Sequence, residues 1–234
     1  MEVAEPAVWH MVMGATHGIG RAYAEHFAKR GAALHLVART ASELASVAGE
    51  LVRLGAKECT VAAGDVLDAN FREMLAALLH DPRFAAVFIG GPSPRPGSIH
   101  EASPDDFGYG IAVVFEYPEH ILRIVSQRTA AIDIVFVSSA ASREPLTASH
   151  RFFVSAVLRR AWDIWIPLLA SGLPPHIRLH VWRPGVIVTR LSAAYVGANS
   201  LEEARGILAS EFADQPVASA QEFVEAALAE DDKA

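Results

Sequence analysis

The 234-residue chain has one cysteine, three lysines and two asparagines, and each scarcity excludes something. A lone thiol, Cys59, cannot build an intrachain disulfide framework, and it fits a reducing compartment. Its only lysines are Lys29, Lys57 and Lys233, and the formal net charge of −7 argues against a surface for nucleic acid or anionic membrane. Long apolar runs are missing too. The longest uncharged stretch, Ile164 to Ile177, is broken by Pro167, Pro174 and Pro175, so no membrane-spanning helix is expected. Glu2 and Glu5 stand where a secretory leader would be basic. His176 and His180 are near neighbours, but no further ligand cluster of suitable spacing joins them, and no metal site is expected. These absences lead to the expectation of a cytoplasmic protein whose partner is a small molecule.

What is present is a regular alternation. Short runs rich in Val, Ile or Phe occur at Val8–Met13, Leu34–Ala38, Cys59–Ala63, Ala85–Ile89, Ile132–Val137 and Ile177–Trp182. They mostly lack polar alternation, the mark of strands covered on both faces of a parallel sheet. Helical patterns separate them, at Arg21–Arg30, Ser42–Leu54, Asn70–Leu79, Pro104–Arg128 and Phe152–Ala170, the first two closed by Gly31 and Gly55. Strand and helix in turn predict an α/β fold: a doubly wound, Rossmann-type sheet of about six parallel strands flanked by helices. No repeat, low-complexity tract or linker divides the chain, so residues 1–234 read as a single domain.

The first apolar run leads into Gly14-Ala15-Thr16-His17-Gly18-Ile19-Gly20. Glycine is required where a chain leaves a strand, turns sharply and enters a helix against a diphosphate. Further on stand Gly64-Asp65-Val66 after the third strand, Val137-Ser138-Ser139 at the end of the fifth, and Pro184-Gly185-Val186-Ile187-Val188-Thr189 after the sixth. In this order and at these separations the segments resemble the short-chain dehydrogenase/reductase family over nearly the whole chain. The resemblance implies a dinucleotide held by Gly14, Thr16, His17, Gly18, Ile19 and Gly20, with Asp65 and Val66 beside the adenine, Gly90 and Gly91 after the fourth strand, and Pro184, Gly185, Val186 and Thr189 at the nicotinamide. The second strand ends at Arg39 and Thr40 with no carboxylate. An arginine there accommodates a 2′-phosphate, where an acidic residue would bind the free ribose hydroxyl. The expected cofactor is therefore NADP(H), with Thr40 and His17 assisting Arg39.

The family's proton-transfer pair, Tyr-x-x-x-Lys, is absent. Four residues beyond Tyr23, Tyr109, Tyr117 and Tyr195 stand Phe27, Val113, Ile121 and Asn199. By register Ser155 occupies the tyrosine position and Arg159 the lysine position, on one helix face. Arg159 retains a cation for ribose hydroxyls; Ser155 is either catalytic or simply a small residue beside the nucleotide. Val114 falls at the place of the family's catalytic asparagine. Ser139 matches the catalytic serine and would polarise a carbonyl. His150, in the loop before the fifth helix, is either a proton carrier or a solvated histidine. Trp182 and Arg183 either face substrate or, for Trp182, fill core.

Residues 190–215 resemble the family's variable substrate lid. Leu191, Tyr195, Val196, Leu201, Ile207, Leu208 and Phe212 give it an apolar character. The helices at Tyr109–Arg128 and Phe152–Ala170 resemble the family's dimer-forming pair, and a homodimer is expected. The function these features imply is NADPH-dependent reduction of a small, largely apolar carbonyl or imine by a non-standard proton path. A non-catalytic NADP(H) sensor or scaffold, and a non-redox cyclase or isomerase, remain the alternatives.

Overall fold

The computed structural model describes residues 8–143 and 151–233. Six parallel strands form one sheet in the order β3-β2-β1-β4-β5-β6: β1 (Trp9–Met13), β2 (Ala33–Ala38), β3 (Glu58–Ala63), β4 (Phe84–Ile89), β5 (Ile132–Val137) and β6 (Ile177–Trp182). The order reverses between β1 and β4, and a crevice opens at the carboxyl ends of the strands at such a reversal.

The central strands carry apolar side chains to both faces. Met11 and Met13 of β1 join one core with Val87, Ile134 and Phe136, while Val12 joins the other with Phe88 and Val135. Period-two geometry forces this division, and helices must cover both faces. On the first side lie α3 (Ala69–Leu79), α4 (Pro104–Ile111), α5 (Tyr117–Val125) and α6 (Phe153–Ser171), with Trp162 of α6 fully buried against Phe136. On the second lie α1 (Gly18–Ala28), α2 (Ala41–Leu54) and α9 (Ala220–Asp231). There Tyr23 of α1 is buried, its hydroxyl 2.9 Å from Nδ1 of His10, and burial pushes that imidazole down to about 4, leaving it neutral.

Two expectations need correction. The runs at β3 and β6 are not covered on both sides; each is an edge strand, and Val61 of β3 is 44% exposed. The helix expected over Pro104–Arg128 is interrupted by a π-helical turn at Ala112–Glu116 before α5 begins. Pro118 is the cause we identify. It has no N–H for the Val114 carbonyl and its ring would crowd that carbonyl, so the chain widens by a residue and Tyr117 N–H bonds Ala112 O instead. The chain beyond β6 forms β7 (Val186–Val188), α7 (Arg190–Val196), α8 (Leu201–Glu211) and β8 (Val217–Ser219), with β7 and β8 pairing as a small separate parallel sheet. Val188, Ala193, Ala204 and Leu208 give this excursion its own small core. Among the described residues no helix is long and apolar enough to cross a membrane.

Candidate active site

A single cleft of about 940 Å³ lies over the carboxyl ends of β1, β4 and β5 and under α7 and α8. Its floor is the glycine turn. Gly14 has φ +74°, and a Cβ there would sit 2.7 Å from Gly91 N, so the turn after β1 and the loop after β4 meet backbone to backbone. Gly20 lies under the same turn, where a Cβ would be 2.4 Å from Gly14 O. Gly18, at φ +58°, faces Thr189, whose Cγ2 would be 3.4 Å from an added Cβ. His17 is the N-cap of α1 but makes no capping bond with its side chain. The first amide groups of α1 thus remain available to an anion. Thr16, Ile19, Gly90, Pro184, Gly185 and Val186 line the same groove.

The far end of the groove carries charge. Arg39 is exposed and has no hydrogen-bond or ion-pair partner among the described residues, and Thr40 beside it is the N-cap of α2. His17 lies 3.3 Å from Glu43 of α2 and 2.9 Å from Nη1 of Arg190, the first residue of α7. Arg190 also approaches Glu43, at 3.8 Å. Three segments remote in sequence thus meet across the mouth. Asp65 accepts from Leu67 N at 2.9 Å, which fixes the turn that places Asp65 and Val66 on the wall.

The opposite wall is built by β5 and α6. Ser139 ends the strand segment and caps a 3-10 turn, its Oγ accepting from Ala141 N at 3.2 Å. Arg159 donates from Nη1 to Val137 O at 2.7 Å and from Nε to Ser155 Oγ at 3.2 Å. Burial pushes its guanidinium down to about 10, a shift that Asp163 opposes. Asp163, one turn further along α6, takes a 2.5 Å bond from Ser142 Oγ and bonds from Arg183 at 2.8 and 3.1 Å. Arg160 Nε donates to Ser142 O at 2.7 Å. The turn that carries Ser139 is therefore tied at two points to the helix that carries Ser155 and Arg159.

Every residue expected at the cofactor or the chemistry lines this cleft, except His150, which lies outside the described residues. Of the open alternatives, Trp182 fills core at 4% exposure with Nε1 bonded to Asp231, and Arg183 is occupied with Asp163; neither lines the cleft. Val114 is buried away from the cleft, and Val113, Tyr117 and Pro118 line it instead, a register displaced by the π turn. His176 bonds Arg128 O and His180 approaches Asp133 and Asp231, so the two imidazoles serve the edge of the sheet. In the lid, Leu191, Tyr195, Leu208 and Phe212 reach the cleft, whereas Val196, Leu201 and Ile207 do not. Sequence reading missed Glu43, Arg190, Tyr109, Tyr117 and Arg151. Only Pro118 left a local signal, since a proline inside a helical pattern warns of a shifted register.

A family model described as short chain dehydrogenase matches residues 9–197. The very-long-chain 3-oxoacyl-CoA reductase of Anas platyrhynchos is 44% identical over 57 residues, which are 24% of this chain and 18% of that protein. Among solved structures, a short-chain dehydrogenase from Sphingobium yanoikuyae in complex with NADPH aligns with a TM-score of 0.80 at 20% identity, covering 96% of this chain and 84% of that one. The L-sorbose reductase of Gluconobacter frateurii, complexed with NADPH and L-sorbose, aligns with a TM-score of 0.79 at 21% identity, covering 96% of this chain and 89% of that one.

Proposed function

The chain belongs to the short-chain dehydrogenase family, and on that premise we propose that it is an NADPH-dependent oxidoreductase that reduces a small, largely apolar carbonyl or imine. The observation that carries this reading is one continuous cleft joining the glycine cradle to the Ser139–Ser155–Arg159 wall. The residues fit the cofactor. The cradle has no room for a Cβ at Gly14, the amino end of α1 is uncapped by its side chain, and Arg39 stands unpartnered where a 2′-phosphate would lie. Both aligned structures are complexes with NADPH.

When bound, the cofactor supplies hydride. In this chain Gly14, Gly18 and Gly20 would admit the diphosphate, Thr16 and Ile19 would flank it, and Thr189 would stand at the nicotinamide. Asp65 and Val66 border the adenine. Arg39, with Thr40 and His17 assisting, would hold the 2′-phosphate. Gly90, Gly91, Pro184, Gly185 and Val186 shape the nicotinamide end. Ser139 donates to the substrate oxygen, and Arg159 places a cation beside the developing negative charge, with Ser155 orienting it. Leu191, Leu208 and Phe212 exclude water above the substrate. The single thiol fits a reducing, cytoplasmic setting.

Titration with NADPH, NADH, NADP and NAD, followed by NADPH consumption on ketone, imine and enone panels, tests the reading. Arg39→Leu is expected to weaken NADPH binding roughly 10- to 150-fold and leave NADH unchanged, because a hydrogen bond to a charged group contributes about 1.5–3 kcal/mol. Equal loss for both cofactors would remove the phosphate role. Tight NADPH binding without turnover, unaltered by Ser139→Ala, would point to a cofactor sensor or a non-redox catalyst instead.

We also propose a homodimer formed through α4, α5 and α6. Ile164 and Leu168 of α6 are 70% and 69% exposed and lie one turn apart, and Ile111 at the end of α4 is 41% exposed. Ile164→Glu combined with Leu168→Glu is expected to give a monomer by light scattering, where the parent chain runs as a dimer. A dimer that survives both charges would place the interface elsewhere.

A further inference from the structure

We propose that the proton donor for the reduction is the phenol of Tyr195 on α7, held by Arg151, which takes over the part left vacant on α6. The assignment rests on the reductase reading above and adds a residue to it.

Three tyrosines line the cleft, and their surroundings separate them. The Tyr117 hydroxyl lies 2.7 Å from Met13 Sδ and 3.1 Å from Gly90 O, and burial raises this phenol well above its usual value. Its proton is committed to the floor of the cleft. The Tyr109 ring lies under the Arg95 guanidinium at 5.3 Å, but its hydroxyl takes no hydrogen bond from any described residue. Tyr195 differs. Arg151 donates from Nη1 to the Tyr195 hydroxyl oxygen at 3.3 Å, and its guanidinium sits 5.1 Å from the ring centre.

The direction of that bond decides the chemistry. Because Tyr195 oxygen accepts from Arg151, its own hydrogen is free, and no described residue takes it. It is available to a substrate oxygen. Arg151 also fixes the phenol in place, with Nη1 on its oxygen and the guanidinium against its ring. The assembly is also anchored to the remaining chemistry. The Phe152 ring packs on Tyr195 at 4.6 Å, and residues 151 and 152 lead directly into α6, which presents Ser155 and Arg159. Glu211 of α8 lies 3.5 Å from Arg151 Nη1 and braces it from the other lid helix. Arg151 is a positioning residue in this scheme, and Tyr195 the group that touches substrate.

The step balances. Hydride from NADPH forms the new C–H bond at the carbonyl carbon, the C=O π electrons move to oxygen, and that oxygen takes the proton from Tyr195. NADPH is oxidised to NADP, the carbonyl is reduced to the alcohol, and the phenolate recovers a proton from water at the exposed Arg151 side.

Tyr195→Phe keeps the ring on Phe152 and under the guanidinium and removes only the hydroxyl. It is expected to lower kcat about 100-fold, the lower range for loss of a general acid, with KM and the Kd for NADPH within about threefold of the parent enzyme. Arg151→Leu should lower kcat about tenfold at unchanged KM, with Arg151→Lys restoring most of it. A Tyr195→Phe enzyme that retains more than half of the parent kcat, or that changes KM alone, overturns the assignment while leaving the reductase reading intact. Failure of the parent enzyme to consume NADPH on any panel member overturns both.

Discussion

Gly14→Ala is expected to abolish the thermal shift given by NADPH and to lower the melting temperature by roughly 4–20 °C. Two independent penalties converge on this position. Gly14 adopts φ +74°, a left-handed conformation that costs an L-residue about 1–2 kcal/mol. The added methyl would also lie 2.7 Å from Gly91 N and 3.0 Å from Gly91 Cα. Both are backbone atoms, so no side chain can rotate aside, and relief requires the turn after β1 and the loop after β4 to separate, at about 1–3 kcal/mol for an overpacked contact. A domain of this size loses about 2–4 °C per kcal/mol, which gives the stated range. The same separation would open the groove under the diphosphate. Gly185→Ala is the matched control for stability: it lines the same cleft, yet an added Cβ would meet nothing within 4 Å, so its melting temperature should stay with the parent. A Gly14→Ala protein that melts like the parent and still responds to NADPH would remove the close-approach argument and with it the cradle.

The parts of the molecule legible in the sequence are those whose physics is local. Val12, Leu36, Val87 and Val135 lie on strands buried at both faces, and unbroken apolar runs announce such strands. Gly55 ends α2 at φ +119°, as a closing glycine should. The order of β3 and β6 within the sheet is a long-range property, so their half-exposed edges do not show in runs that look like the others. The pairing of Val186–Val188 with Val217–Ser219 escapes notice because three residues are too few to display a period. The cleft follows the same division. Its glycines and Ser139 are carried by contiguous motifs. Glu43, Arg190 and His17 come together only through the fold, as do Tyr195 and Arg151, and no spacing along the chain connects them. The displacement from Val114 to Val113 is an intermediate case. It was readable in principle from Pro118, one turn beyond the residue whose carbonyl that proline deprives of a partner.

Arg159→Met is expected to lower kcat roughly 10²- to 10³-fold, the usual effect of removing one preorganised donor from a developing oxyanion, while the melting temperature stays level or rises. The two readouts are predicted to move apart because the cation is unfavourable where it sits. Burial pushes its pKa down, and its opposite charge, Asp163, is already engaged by Ser142 and Arg183. What Arg159 gives the fold in return is chiefly the bond to Val137 O and the contact with Ser155, and a single neutral-acceptor hydrogen bond contributes only a few kcal/mol at most. Methionine fills similar space without a buried charge, and replacement of a buried ion by a well-packed apolar side chain is often neutral or stabilising. A residue whose removal leaves the fold unharmed and the reaction crippled is one held in place for the reaction. Arg159→Lys sharpens the distinction: it keeps the charge and loses the fork that spans Val137 and Ser155, so it should recover part of kcat but less than the native residue. If kcat and melting temperature instead fall together in Arg159→Met, the arginine is a structural tie between β5 and α6, and the positive charge beside the substrate oxygen must come from another group in the cleft.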